Sequence, residues 1–361
     1  MQPTDIIALR HQLHANPGLS DEEQFAHDAV VAQLQQLHPS QIFDHVGGYG
    51  VVAVWGADKA APTVAFRADT DALPIGHRCG HDGHTATLLR LAQMVDSDPT
   101  PARNGNIMLL WQPAEETGRG AQRVMASGVL QQYNIVAIYA IHNLPGYDLG
   151  QVVVAHGTFA TASTGVVYHF GGRATHASTP ELGLNPGLAV AQLAEYAATL
   201  GRPASSGQFC QSTLICLRVG EPAFGTSAGQ GEAMFTLRAY DDQVLCQMLQ
   251  KLGAKAEQLA NREGLTLDTQ QVEPFGATVN HEPAVNLIER VAGAAVAVAE
   301  PFRWSEDFGV YLRQYNGAMF GIGSGRDHPE LHHPSYDFPD AIIEPTASLF
   351  HQIAAATLRQ G

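Results

Sequence analysis

The chain has 361 residues, 45% of them hydrophobic, and a mean hydropathy of -0.08, which describes a globular protein too long for one hydrophobic core, so two domains are expected. A net charge of -15 would repel phosphate backbones and argues against nucleic-acid binding, and the apolar runs are too short to cross a bilayer. The four cysteines (Cys79, Cys210, Cys216 and Cys246) are scattered, and M-Q-P-T-D lacks the basic start and apolar run of a secretion signal, so a reducing, cytoplasmic location is expected.

A first helix is predicted from Asp5 to Ala15, stopped by N-P-G. Ser20 and Glu23 have capping-box spacing for a second helix reaching about Leu37. A glycine turn at 47–50 leads into the strand V-V-A-V-W, and T-V-A-F-R-A forms the next strand, ending at Asp69. A helix is expected over 82–95, then the strand N-I-M-L-L-W ending at Q-P-A-E-E, and the strand I-V-A-I-Y-A-I ending at His142. Strands alternating with helices imply βαβ units and a largely parallel sheet. From Gly165 the pattern becomes β-α-β-β-α-β, with Pro186 opening a helix and a long helix over 241–262, the order of a split βαβ, ferredoxin-like sandwich. The expected division is therefore a first catalytic segment 1–157, an insertion 158–271 and a second catalytic segment 272–361. That last segment holds a helix over 283–299, the strand A-M-F-G-I-G and a terminal helix from about Pro345.

The residues with metal and acid-base chemistry collect at particular places in this pattern. The stretch from Phe66 to Ala86 holds Asp69, Asp71, His77, Cys79, His81, Asp82 and His84, a donor mixture suited to a borderline divalent ion. No cysteine pair at C-x-x-C spacing is present, so a catalytic site is indicated rather than a structural zinc knuckle. Asp69, Glu115, Glu116 and His142 each follow a predicted strand, and the carboxyl ends of strands are where open parallel sheets bind ligands. His332 and His333 follow the late strand in the same way. Adjacent glutamates on extended chain point to opposite sides, so one of Glu115 and Glu116 can bind metal while the other faces a water.

The motifs R-A-D-T-D-A-L-P-I, C-G-H-D-G-H-T-A, Q-P-A-E-E, I-H-N-L-P-G and L-H-H-P-S-Y-D-F, in this order, resemble those of the aminoacylase/carboxypeptidase family of dinuclear metallopeptidases. The closest branch comprises the N-acyl-amino-acid, hippurate and indole-acetyl-amino-acid amidohydrolases. The resemblance runs from R-H-Q-L-H-A-N-P to S-E-D-F-G. It implies an α/β protein with a mainly parallel, zinc-peptidase-like catalytic domain and an inserted ferredoxin-like α+β lid that often dimerises. It also implies two divalent metal ions (zinc, manganese, cobalt or nickel) held by Cys79, His81, Glu116, His142 and His332, with Glu115 as general base. Asp69 sits where other branches carry a ligand histidine, and Asp71 matches an orienting aspartate; in this branch both are expected to stand behind the ligands or bind weakly. His176 matches a histidine that donates to the oxyanion, often from the partner subunit, and Arg238 an arginine that binds the substrate carboxylate.

Several residues have plainer readings. His84 competes as a ligand through its spacing from His81, Arg238 has Asp241 and Asp242 as nearby ion partners, and His27 reads as an ordinary helix histidine. The chain departs from the family twice. Only Gly76-His77-Arg78 stands where relatives carry a longer pocket loop, and Gly225–Gly229 replaces a segment holding a substrate-contacting asparagine. The expected activity is hydrolysis of N-acyl-amino acids, small-molecule substrates, by a homodimer paired through the lid. A dipeptidase or aminopeptidase of the same superfamily and a non-catalytic binding relative are the rivals.

Overall fold

A computed structural model describes residues 5–201, 209–293 and 296–359. The first four residues of the stretch read for a secretion signal, and positions 294 and 295 of the expected helix 283–299, lie outside them. The chain divides into two compact units. The larger takes the chain up to Phe159 together with Thr278–Phe302 and Glu306 onward; the smaller is Ala160–Ala277 with Arg303–Ser305.

The larger unit is built on an eight-stranded sheet. Its middle is parallel: Pro62–Asp69 lies between Asn106–Gln112 and Asn134–Pro145, and Gly317–Gly325 adds to the far side of the latter. The flanks add antiparallel pairings, so the sheet expected to be largely parallel is mixed. A strand not foreseen, Gln41–Phe43, runs antiparallel to Val51–Trp55, which in turn is antiparallel to Asn106–Gln112. On the other side Val152–Val154 is antiparallel to Gly317–Gly325. The reason is connection length: the Gly47–Gly50 turn and the short link after Pro145 reverse the chain, whereas parallel neighbours need a crossover of a dozen or more residues. The sheet is therefore mixed.

The central strands are buried on both faces, as their uninterrupted apolar runs require. Phe66, Leu109, Trp111, Tyr139 and Phe320 pack with residues of the helices His81–Ser97 and Ile343–Leu358 in one core. Asp5 caps the helix Ile6–Ala15 by accepting from the N–H groups of Ile7 and Ala8. The expected helix 283–299 stops early: it spans Glu282–Ala292, ends at Gly293 with φ of 78°, and Ala297–Val298 is a strand parallel to Val152–Val154.

The smaller unit has a four-stranded sheet in which Gln230–Ala239 and Ala162–Gly171 are central and Cys210–Val219 and Thr266–Phe275 are edges, every pairing antiparallel. Helices Gly187–Leu200 and Asp242–Glu263 complete a β-α-β-β-α-β connectivity. Tyr168, Phe170, Leu193, Phe235 and Leu252 share its core.

Candidate metal centre

Parallel strands deliver the site. Pro62–Asp69 and Asn106–Gln112 end side by side, with Asp69 opposite Gln112, so the segments 69–71 and 113–116 leave the sheet together. Asp71 joins them: its Oδ1 accepts from the Glu115 N–H at 3.0 Å, and its Oδ2 accepts from the Glu116 N–H at 3.0 Å and the Ser20 hydroxyl at 2.7 Å. Burial opposes ionisation of Asp71, but the donors from His81, Ser20 and Glu116 outweigh it and hold its pKa below the usual carboxylate value. His142 lies within its strand rather than at the end, because Asn134–Pro145 continues in register with Gly317–Gly325 beyond it.

The loop from Asp71 turns at Gly80 (φ 94°), where an added Cβ would lie 2.7 Å from the Asn143 side chain, so only glycine brings Cys79 and the helix start this close to the neighbouring strand. Two groups of side chains result. Cys79, His81 and His142 form a buried triad, and Cys79, Glu116 and His332 form a second, each with its donor atoms within 4.8 Å of one another. Cys79 belongs to both. His332 arrives from the late loop with φ of 66°, its N–H donating to the Arg78 carbonyl at 2.8 Å.

These donors fit metal ions. The Nδ1–H of His81 donates to the Asp71 carbonyl and that of His142 to the Asn143 carbonyl, both at 2.9 Å, which turns each Nε2 lone pair toward the pocket. His81 Nε2 and Glu116 Oε1 are buried without a hydrogen-bond partner, and His142 Nε2 stands 3.7 Å from Cys79 Sγ. Burial pushes the Cys79 thiol up to about 12 and Glu116 up to about 7, and holds the His142 pKa down to about 3. Glu115 is raised well above the usual value, first by burial and then by Glu306 and Glu116. Against burial, Asp69, Cys79 and Asp71 hold the His81 pKa well above the usual imidazole value, so a divalent cation would take over the positive charge that this proton brings to the buried donors.

The other predicted residues have these surroundings. Asp69 accepts from Arg67 Nη1 at 2.5 Å and His84 Nδ1 at 2.6 Å. His84 Nε2 meets Asn143 Oδ1, so both of its ring nitrogens are engaged, although Asp69, His81 and His84 also form a close group. His77 of the short loop is buried beside the His14 ring, and burial lowers its pKa to about 4. In the smaller unit His176 is exposed, hydrogen-bonded to Ser178 Oγ at 2.7 Å, and sits in a two-residue strand paired with Thr226–Ser227. The substituted 225–229 segment thus braces the His176 loop through its backbone. Arg238 donates to the Arg303 carbonyl and Ser305 Oγ.

Glu23 was missed. The capping box does not form: the helix begins at Gln24, Ser20 serves Asp71, and Glu23 is buried, with Oε1 accepting from the N–H groups of Asp21 and Ala114. Ala114 holds φ of 54°, unusual for a residue with a Cβ, immediately before Glu115. Spacing alone could not reveal a partner ninety-one positions away.

A mixed-sheet scaffold that sets paired ligand triads beside a second carboxylate defines a metal-dependent hydrolase. The model of Peptidase family M20/M25/M40 matches residues 65–356, and the chain belongs to this family, in its dinuclear-metal amidohydrolase branch. It is 28% identical to an N-acetyl-L-cysteine deacetylase of Bacillus subtilis, over 98% of this chain and 88% of that protein. It is 25% identical to the hippurate hydrolase of Campylobacter jejuni, over 97% and 96%. A Bacillus subtilis protein described as a dinuclear metal-binding peptidase of the M20 family shares the fold with a TM-score of 0.83 at 23% identity, covering 99% of this chain and 98% of that one. The protein is accordingly a metal-dependent amidohydrolase acting on amide bonds of small acyl or amino-acid-like substrates. Among the described residues no helix is long and apolar enough to cross a membrane.

Two outcomes follow. A metal held by these groups would have to displace the protons of Cys79, pushed up to about 12, of Glu116, pushed up to about 7, and of His81, held well above the usual imidazole value. Apparent affinity of the metal-free protein therefore rises with pH by about tenfold per unit for each proton displaced. The rise is steeper below about 7, where Glu116 also carries a proton, than above it, where Cys79 and His81 still do. Chelator-competition titrations across that range check the slope, and a flat profile would overturn it. Removing the Glu23 acceptor by Glu23→Ala should cost about 1–3 kcal/mol of the energy ordering the Ala114 turn. It should lower kcat while Glu23→Gln, which keeps an acceptor, restores most of it; equal losses in both variants would reject this role.

Proposed function

We propose that the protein hydrolyses N-acyl-amino acids to a carboxylic acid and a free amino acid. The observation that carries this reading is the pair of ligand triads sharing Cys79, with Glu115 and Glu116 pinned together by Asp71. In it Cys79, His81, Glu116, His142 and His332 hold two divalent ions, of zinc, manganese, cobalt or nickel. Asp69 and Asp71 orient these ligands without being required to bind. The ions, when bound, polarise the amide carbonyl and acidify a water. Glu115 takes a proton from the water as its oxygen bonds to the acyl carbon. It returns the proton to the nitrogen as the carbon–nitrogen bond breaks. A carboxylate whose pKa is raised by burial and by its acidic neighbours holds and releases a proton readily, which supports this role. His176 donates a hydrogen bond to the oxyanion and Arg238 pairs with the substrate carboxylate; for both, the support is the match to the family motifs. The relatives named for acetyl-cysteine and hippurate suggest a small or aromatic acyl group.

The smaller unit, in this reading, is a ferredoxin-like lid, and the working form in the cytoplasm is a homodimer. Its edge strand Cys210–Val219 exposes Leu214, Ile215 and Leu217, an edge open to pairing with its twin.

Release of free amino acid from a panel of N-acetyl, N-benzoyl and longer acyl amino acids tests the substrate class, with manganese, cobalt or zinc added and again after chelation. Chelation should abolish release, and Glu115→Gln should lower kcat by at least about 100-fold with metal content unchanged. Cleavage of Gly-Leu in preference to acetyl-Leu would turn the reading toward a dipeptidase. Sedimentation should give twice the chain mass and Ile215→Lys should halve it; a monomeric wild type would remove the dimer.

A further inference from the structure

A second histidine-carboxylate cluster lies outside the site above. His27, on the helix Gln24–Leu34, is buried, while Asp44 and His45 follow the strand Gln41–Phe43 and are exposed. Donor atoms of the three lie within 4.8 Å of one another. His27 Nδ1 is 2.9 Å from Asp28 Oδ1 and His27 Nε2 is 2.6 Å from Asp44 Oδ1. The His45 ring stacks on that of His27, with centroids 4.5 Å apart and planes 17° from parallel.

The arrangement has the parts of a carboxylate–histidine–metal unit. Asp28 fixes the ring through Nδ1 and Nε2 is engaged with Asp44 Oδ1, so a metal here would take the place of the proton between that nitrogen and carboxylate. His45 adopts φ of 53°, in the left-handed region that histidine enters more readily than most residues with a side chain. Asp44 Oδ1 accepts the His45 N–H at 2.8 Å, so the same carboxylate ties both histidines. Another group, His14, Asp82 and Asp337, differs. There the Arg10 guanidinium already sits between Asp82 and Asp337 and supplies the positive charge. At His27 the carboxylates of Asp28 and Asp44 share one imidazole, which when protonated balances only one of their two charges, where a divalent ion would balance both.

We propose that His27, Asp44 and His45 form an additional divalent-metal site of the zinc class, oriented by Asp28 and separate from the catalytic donors. Imidazole with carboxylate suits zinc, cobalt, nickel or copper rather than magnesium or calcium. Occupancy ties the loop 44–50 to the helix Gln24–Leu34. That loop is seated tightly: a Cβ at Gly50 would lie 2.9 Å from Pro113, and one at Gly47 would lie 2.7 Å from the Val124 backbone nitrogen. Pro113 leads directly into Ala114 and Glu115, so the site steadies the ground on which the Glu115 turn rests.

The test is metal stoichiometry. Full-length protein is equilibrated with excess zinc, desalted and measured by elemental analysis beside His45→Ala and Asp44→Asn, whose side chains are exposed and whose folds are checked by circular dichroism. Wild type should retain one zinc equivalent more than either variant, and each variant should lose the zinc-induced rise in melting temperature attributable to that equivalent. Cys79→Ser should lose zinc at the catalytic donors and keep the additional equivalent, which separates this site from the hydrolytic reading. Equal zinc content in wild type, His45→Ala and Asp44→Asn would overturn the proposal.

Discussion

Arg67 is wholly buried, and its guanidinium is shared among Asp69, Glu306 and Asp307. Its Nε also donates to Gln112 Oε1 at 2.9 Å. Four pieces of chain therefore converge on one cation: the end of Pro62–Asp69, the end of Asn106–Gln112, the segment 306–307 and, through Asp307 Oδ2, the Ala121 N–H that opens the next helix. Breaking such a buried cluster by removing one partner leaves uncompensated charge and is strongly destabilising. The site depends on it because Asp69 and Gln112 are the last residues before the segments carrying Asp71 and Glu115.

One arginine cannot neutralise all the carboxylates gathered here. Glu115 and Glu116 are pushed up by burial, and Asp307 is pushed up to about 8 by burial despite Arg67. The pocket holds an excess of acidic groups in low dielectric, which is unfavourable for folding alone and favourable for a cation. Cys79 belongs to both triads, so its thiol is close to the donors of each.

Much of this was legible in the sequence because strand order and ligand position are coupled. A run such as T-V-A-F followed by R-A-D announces both a buried strand and the residue at its carboxyl end, so the placement of Asp69 and Glu115 followed from local pattern. The β-α-β-β-α-β order was readable for the same reason. What local pattern cannot carry is a partner distant in the chain. Ser20 and Glu23 have the spacing of a helix cap, yet Asp71 and Ala114 claim them instead. His27 reads as a helix histidine until Asp44 is folded against it. The antiparallel flanks of the large sheet were missed because strand direction was inferred from alternation rather than from the length of each connection.

The sharing of Cys79 has a consequence for the order in which the centre can be assembled as the polypeptide is made. Cys79, His81 and His142 all precede the insertion, whereas the triad with Glu116 waits for His332. An emerging chain thus carries one complete triad while the whole smaller unit is still unmade. A bound ion at that stage would hold the loop before His81–Ser97 against the strand of His142 and shorten the search for the remaining contacts. Chains released early would contain the residues of one triad and lack His332, which the other needs.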